Sequence, residues 1–263
     1  METFSKEKFL YELNTTDVVG MSVQMDNVDS VALISEIIHE ADPDIPILIG
    51  GSNCSFLKKN AIKDVPYADI CCECEGEKTI EEIMDYLEGK QSLSEIQGIY
   101  YRENGSIKSG KPFHLIKDLD ELSFPARHLV EQYEYGKFMN CYPFRRKFTS
   151  LLSSRGCPYK CRFCTRYSNV IEGYGYRERS AENVVEEIEL INEKYGSVMI
   201  VDDNFLANVK RAHKISDMLI ERKTDIDLLV MGARVDTAKK DLYKKLKKAG
   251  VKYLGFGIES GNQ

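Results

Sequence analysis

The segment SSRGCPYKCRFCTR (153–166) places Cys157, Cys161 and Cys164 in a CxxxCxxC spacing. Each iron of an ordinary 4Fe–4S cluster takes one cysteine thiolate, so four cysteines are expected. Three leave one iron without a protein ligand, and an open metal position is what separates a catalytic site from a structural one, as it does for zinc. The short spacing lets a single loop wrap three corners of the cube. Gly156 and Pro158 suit a backbone that turns sharply off the end of a strand. The other readings are chance spacing and a zinc knuckle. A knuckle needs a fourth ligand such as Cys141, His128 or His213, none of which lies at an ordinary knuckle distance. Residues 144–166 also carry Arg145, Arg146, Lys147, Arg155, Lys160, Arg162 and Arg166 with no Asp or Glu. Such an excess would offset the negative charge of a thiolate-bound cluster, and a solvated or anion-binding surface is its plainer meaning.

The rest of the composition narrows the setting. A formal net charge of -6 over 263 residues argues against a general nucleic-acid binder. No apolar run approaches the roughly 20 residues of a membrane span. The opening METFSKEKFLYEL lacks the apolar core and cleavage site of an export signal, so a cytoplasmic location is expected. Eight cysteines in such a chain point to metal or redox chemistry rather than disulfides. Cys71, Cys72 and Cys74 could suggest a second metal site, but adjacent strand residues point to opposite faces and cannot easily share one ion. Buried unpaired cysteines are common.

The elements that must position the loop follow from apolar patterning. Strands are expected at 17–23, 45–51 and 68–74, with helices at 27–42 and 78–89, the latter stopped by Gly89. Strands alternating with helices imply right-handed crossovers and an α/β, doubly wound parallel sheet. Within 98–110, Asn104-Gly105 marks a hairpin turn. The acidic, Pro125-containing 116–127 and the aromatic-rich, aperiodic 128–147 together read as a linker over 116–147. A second series has strands at 148–156, 197–203, 228–236 and 253–261. Its helices follow Ser180, an N-cap, and span about 206–222 and 237–250.

SRGCPYKCRFC, with aromatic Phe163 before the last cysteine, resembles the signature of the radical S-adenosylmethionine (SAM) superfamily. VDDNF (201–205), ARVD (233–236) and GFGIESG (255–261) are similar to that family's second-, third- and fourth-strand motifs. The resemblance implies a (βα)6-type barrel and one-electron reduction of the SAM sulfonium to methionine and a 5′-deoxyadenosyl radical. It places Asp202 and Asp203 near the SAM amino group, and Arg234, Glu259 and Ser260 near its carboxylate or ribose. It also implies a one-electron donor such as flavodoxin or ferredoxin, and a small-molecule or peptide substrate.

The N-terminal half resembles the cobalamin-binding domain that precedes many such barrels. By that resemblance Ser22, Gly50, Gly51, Glu75 and Gly76 contact the corrin or its nucleotide tail, at strand ends where a doubly wound sheet forms its ligand crevice. The DxHxxG loop that supplies a lower cobalt ligand in many relatives is not found, since His39, His114, His128 and His213 all lack an Asp two residues before. The expected organisation is a cobalamin-binding-like Rossmann domain over 1–115, a linker over 116–147, and the four-strand part of the barrel over 148–263. The implied class is methylation of unactivated carbon or ring rearrangement. A methylthiotransferase-like enzyme is the nearest alternative, and a non-catalytic truncated Fe–S fragment is the other. Truncation is expected at both ends, because the first βα unit of the Rossmann domain is missing and the barrel stops after its fourth strand. SAM cleavage would then be weak, and the last strand would be an aggregation-prone edge.

Overall fold

Two βα series organise the chain in a computed structural model that describes residues 5–133, 147–164, 167, 171, 173–237, 239–259 and 261. The chain divides into two units, Met1–Ile116 with Asn169–Gly173, and Lys117–Ser168 with Tyr174–Gln263.

The first unit runs α1 (Lys6–Leu13), β1 (Val19–Ser22), α2 (Val28–Ala41), β2 (Ile47–Gly50), α3 (Ser52–Leu57), α4 (Ala61–Asp64), β3 (Ile70–Cys72), α5 (Glu77–Leu87), β4 (Ile99–Glu103) and β5 (Ser106–Ser109). The sheet order is β1-β2-β3-β4-β5. The first three strands are parallel, and the β4–β5 hairpin continues the sheet antiparallel from β3. Successive side chains of β2 enter two different cores. Ile47 and Ile49 pack with Val31, Ile38 and Ile62 from the helices α2 and α4, while Leu48 packs with Ile70, Ile83 and Ile99 on the α5 side. A strand buried on both faces reads as an unbroken apolar run for this reason. Each such isoleucine contributes roughly 1.5–3 kcal/mol by leaving water. In the hairpin, Asn104 (φ 51°) and Gly105 (φ 75°) are both left-handed, as a two-residue turn matching strand twist requires.

The second unit runs β6 (Phe148–Leu151), β7 (Ser154–Arg155), β8 (Arg177–Glu178), α6 (Ala181–Asn192), β9 (Ser197–Ile200), α7 (Val209–Glu221), β10 (Asp227–Arg234), α8 (Lys240–Lys248) and β11 (Val251–Gly257). Its main sheet has the order β11-β10-β9-β6, all parallel, and β7–β8 is a small antiparallel pair. Leu151, Val198, Ile200, Leu228 and Val230 face Val184, Ile188, Ile215, Leu219, Leu242 and Leu246 of the three helices. Ser180 caps α6 by accepting from the Asn183 N–H at 3.1 Å. α7 begins at 209 rather than 206 because Phe205–Ala207 forms a 3-10 turn and Asn208 becomes the cap.

The stretch read as a linker carries the 3-10 turns Leu119–Glu121 and Arg127–Val130. Asp120 accepts from the Ser180 N–H at 2.9 Å and Leu119 is buried, so residues 117–133 pack on the second unit. Among the described residues no helix is long and apolar enough to cross a membrane.

Candidate functional site

The four parallel strands of the second unit end at Leu151, Ile200, Arg234 and Gly257. The chain leaves β6 into the cysteine loop, and three charged side chains fix the root of that loop. Asp202, fully withdrawn from solvent just beyond β9, accepts from the Ser153 N–H (2.6 Å), the Ser153 Oγ–H (2.5 Å) and the Ser154 Oγ–H (2.6 Å). Arg211 of α7 lies 3.6 Å from the Asp202 carboxylate and donates to the carbonyls of Ser153 and Arg179, each at 3.0 Å. Arg179 donates to the Leu152 carbonyl at 2.9 Å and pairs with buried Glu187, which also takes Arg127 at 2.6 Å. Buried charges persist only when paired and hydrogen-bonded, so these contacts hold residues 150–154 in one geometry.

Beyond that root, Gly156 turns the chain at φ +77°. A Cβ there would lie 2.7 Å from the Gly175 carbonyl oxygen, so only glycine fits without rearrangement. Cys157 and Cys161 are half-buried, Cys164 is exposed, and none of the three is in a disulfide. The Cys164 N–H donates to the Cys161 carbonyl at 3.3 Å, closing a turn between them. Phe163 projects outward, 68% exposed. Arg234, the last residue of β10, donates from Nη1 to Cys161 Sγ at 3.4 Å.

Among the described residues no three His, Cys, Asp or Glu side chains converge on a single ion. The zinc-knuckle alternative required such convergence; of its candidate fourth ligands, Cys141 lies outside the described residues. A cubane makes a different demand, one thiolate per iron at separate corners. Three thiols on one loop, none of them in a disulfide, are available for it, and a cationic donor at one sulfur suits an anionic cluster.

The remaining residues implied for SAM divide. Asp203, at the same strand end, has its carboxyl held above the usual range by partial desolvation and by the adjacent Asp202, against a hydrogen bond from the Gly156 N–H. Asp202 itself faces inward to the two serines. Glu259 follows β11 with a left-handed φ of 59°. Ser260 lies outside the described residues. Sequence reasoning overlooked Gly232. Its Cβ would sit 2.5 Å from the Asp202 carbonyl oxygen and its φ is +76°, so it lets β10 approach the Asp202–Asp203 backbone. The only sequence signal was a glycine inside a strand, which marks a bulge or close approach.

In the first unit, Ser22 and Gly50 are register partners at the carboxyl ends of β1 and β2. Gly51 follows with φ +99°, and a Cβ on it would meet Ser22 Oγ and the Val23 carbonyl oxygen, both at 2.9 Å. The structure therefore brings Ser22, Gly50 and Gly51 together. Asn53, also overlooked in the sequence, is 7% exposed there, and its Nδ2 has no hydrogen-bond partner among the described residues. Glu75 has a different set of neighbours. It is buried, accepts from the Ile116 N–H at 3.2 Å, and lines a cavity of about 230 Å³ with Thr79, Gln97 and His114. Gly76 immediately precedes α5, with open space where a Cβ would lie.

Residues 151–263 match the model of the radical SAM superfamily. An uncharacterized methyltransferase of Pyrococcus horikoshii is 29% identical over 262 residues, covering 99% of this chain and 55% of that protein. The chain spans about half the length of the curated relatives it matches. Among solved structures, the cobalamin-dependent SAM radical enzyme OxsB, with aqua-cobalamin and SAM bound, superposes with a TM-score of 0.74 at 22% identity. That match covers 98% of this chain and 38% of OxsB. The radical SAM methyltransferase TsrM from Kitasatospora setae gives a TM-score of 0.75 at 16% identity, covering 96% of this chain and 51% of TsrM. These likenesses establish the α/β fold with a partial barrel. The cysteine loop, the strand ends that frame it and the match to the radical SAM superfamily model lie in one segment, residues 151–263.

Proposed function

We propose that this chain is the cofactor-binding part of a radical SAM enzyme that works with cobalamin, in the class that methylates unactivated carbon or rearranges rings. The observation that carries the reading is the loop of Cys157, Cys161 and Cys164 at the carboxyl edge of a parallel sheet, within the matched segment. These cysteines would hold a 4Fe–4S cluster with one iron open to SAM. When bound, cluster and SAM supply a 5′-deoxyadenosyl radical and methionine from one electron and the sulfonium. The chain's own share is to hold and orient. Asp203, Arg234 and Glu259, with Ser260 beside them in sequence, stand at the strand ends that would meet SAM. Asp202, Ser153, Ser154 and Arg211 keep the loop root fixed.

Cobalamin binding in the first unit is supported by the meeting of Ser22, Gly50 and Gly51 at the carboxyl ends of β1 and β2, and by the adjacent buried Asn53 amide, whose Nδ2 has no hydrogen-bond partner among the described residues. The likeness to OxsB, which carries aqua-cobalamin, supports it too. A cytoplasmic setting and a one-electron donor such as flavodoxin or ferredoxin follow from the same chemistry, which needs a low-potential reductant.

The test is anaerobic purification from a cobalamin-replete host, followed by reconstitution with iron and sulfide. The expected result is a protein-bound corrinoid spectrum, lost on Gly51→Val, and reductant-dependent formation of 5′-deoxyadenosine from SAM. A reconstituted protein that binds neither corrinoid nor SAM contradicts the reading.

A further inference from the structure

The guanidinium of Arg234 is held by contacts on three sides. Its Nη1 donates to Cys161 Sγ at 3.4 Å. Its plane lies over the ring of Tyr159, with the central carbon 3.9 Å from the ring centroid. Asp236 accepts from Nε at 3.1 Å and from Nη2 at 2.7 Å. The Thr237 Oγ–H, donating to the Arg234 carbonyl at 2.6 Å, ties down the strand end that carries it. Tyr159 lies two residues before Cys161 on the same loop, so the stacking fixes loop and guanidinium together. Arg is suited to this arrangement because its planar fork can stack on a ring and still donate in fixed directions.

We propose that Arg234 sets the reduction potential of the cluster by donating to the Cys161 thiolate, with Tyr159 and Asp236 as the residues that aim it. This rests on the reading of Cys161 as a cluster ligand. Hydrogen bonds to ligand sulfurs are among the determinants of iron–sulfur potentials. One electron, delivered by the external one-electron donor, adds one negative charge to the cluster and its ligands. A cationic donor at a sulfur stabilises the reduced state more than the oxidised one and raises the potential. Asp236 limits that effect, since its carboxylate neutralises part of the guanidinium charge. The pair therefore holds the potential between the values that a bare arginine and a missing arginine would give.

The experiment measures cluster midpoint potentials by dye-mediated titration followed by EPR, without SAM, on reconstituted wild-type protein and on Arg234→Gln, Arg234→Lys and Asp236→Asn. Leaving SAM out means that a role confined to the SAM carboxylate leaves every value unchanged. Arg234→Gln is expected to make one-electron reduction about tenfold less favourable, a fall of about 59 mV. Arg234→Lys should lie between it and wild type, because the charge remains while the fork and the stacking are lost. Asp236→Asn should shift the potential the opposite way. Iron and sulfide assays accompany each titration. Fully loaded Arg234→Gln with the wild-type potential overturns the proposal while leaving the cluster assignment intact. If Arg234→Gln does not assemble a cluster, an unchanged potential in Asp236→Asn overturns it. Wild-type protein that assembles no cluster overturns both this proposal and the functional reading.

Discussion

Replacing Asp202 by Asn removes a charge with almost no change in volume, at the point where the cysteine loop is anchored. The carboxylate accepts from one backbone N–H and two serine hydroxyls within 2.6 Å, and it lies 3.6 Å from the Arg211 guanidinium. In the Asn variant the serine hydroxyls can rotate to accept from the new amide, so hydrogen-bond count falls little. The loss is mostly electrostatic. Arg211 keeps a second partner, Glu178 at 3.3 Å, which holds the cost below that of a fully orphaned buried charge. A hydrogen bond to a charged group contributes about 1.5–3 kcal/mol, which sets the expected destabilisation at about 2–3 kcal/mol. For a domain of this size class, each kcal/mol lowers Tm by about 2–4 °C, so the fall is about 4–12 °C. Thermal unfolding of the apo-protein by circular dichroism measures it, with Asp203→Asn as the control of equal chemistry at the next residue. If Asp202→Asn melts within about 1 °C of wild type, the buried network does not anchor the loop as argued.

Asp203 should behave in the opposite sense. Its carboxyl is held above the ordinary value chiefly by desolvation, so the folded state binds a proton more readily than the unfolded one. Its charge therefore costs stability at neutral pH, and that cost disappears as pH falls through its raised pKa. Asp203→Asn should be at least as stable as wild type at pH 7, with the two converging at about pH 4; a variant less stable at pH 7 contradicts this. In native apo-protein, an alkylating reagent at pH 8 should modify Cys157, Cys161 and Cys164 before Cys54, Cys71 and Cys72. Burial pushes the Cys72 thiol up to about 12, while a hydrogen bond with Cys54 and burial push Cys71 up. Thiolates are the reactive form, and mass mapping that finds Cys71 modified as fast as Cys164 refutes the assignment of burial. Gly156→Ala forces a side chain into a left-handed turn against the Gly175 carbonyl. It should cost at least about 1–2 kcal/mol and lower iron loading, and full loading with an unchanged melt would show that the turn is permissive.

Much of this architecture was legible because each element had its own signal. Ile47–Gly50 reads as a buried strand because the helices α2 and α4 cover one face and α5 the other, leaving no polar positions to alternate. Asn104-Gly105 states its turn directly, since both residues are left-handed. The cysteine spacing named the loop before any coordinate. What stayed hidden depends on contacts distant in sequence. Nothing local announces that Asp202 turns toward Ser153 and Ser154 rather than outward with Asp203, because the deciding partner, Arg211, comes from the helix α7. The fastening of Glu75 to Ile116, across 41 positions, has no sequence signature either. The same holds for Arg234, whose stacking on Tyr159 joins a strand end to a loop far earlier in the chain. The acidic stretch 117–133 reads as a linker by composition, yet its charges and Leu119 are used in packing on the second unit.

The central claim is that Cys157, Cys161 and Cys164 together hold one cubane with an open iron. Iron and acid-labile sulfide counted per chain after anaerobic reconstitution, alongside the EPR spectrum of the reduced protein, test it most directly. The account predicts about four irons and four sulfides for one cubane, a reduced-cluster signal that changes on adding SAM, and loss of both in the triple Cys→Ala variant. Cys71→Ala and Cys74→Ala should keep the full iron content. A triple variant that retains as much iron as wild type would contradict the account.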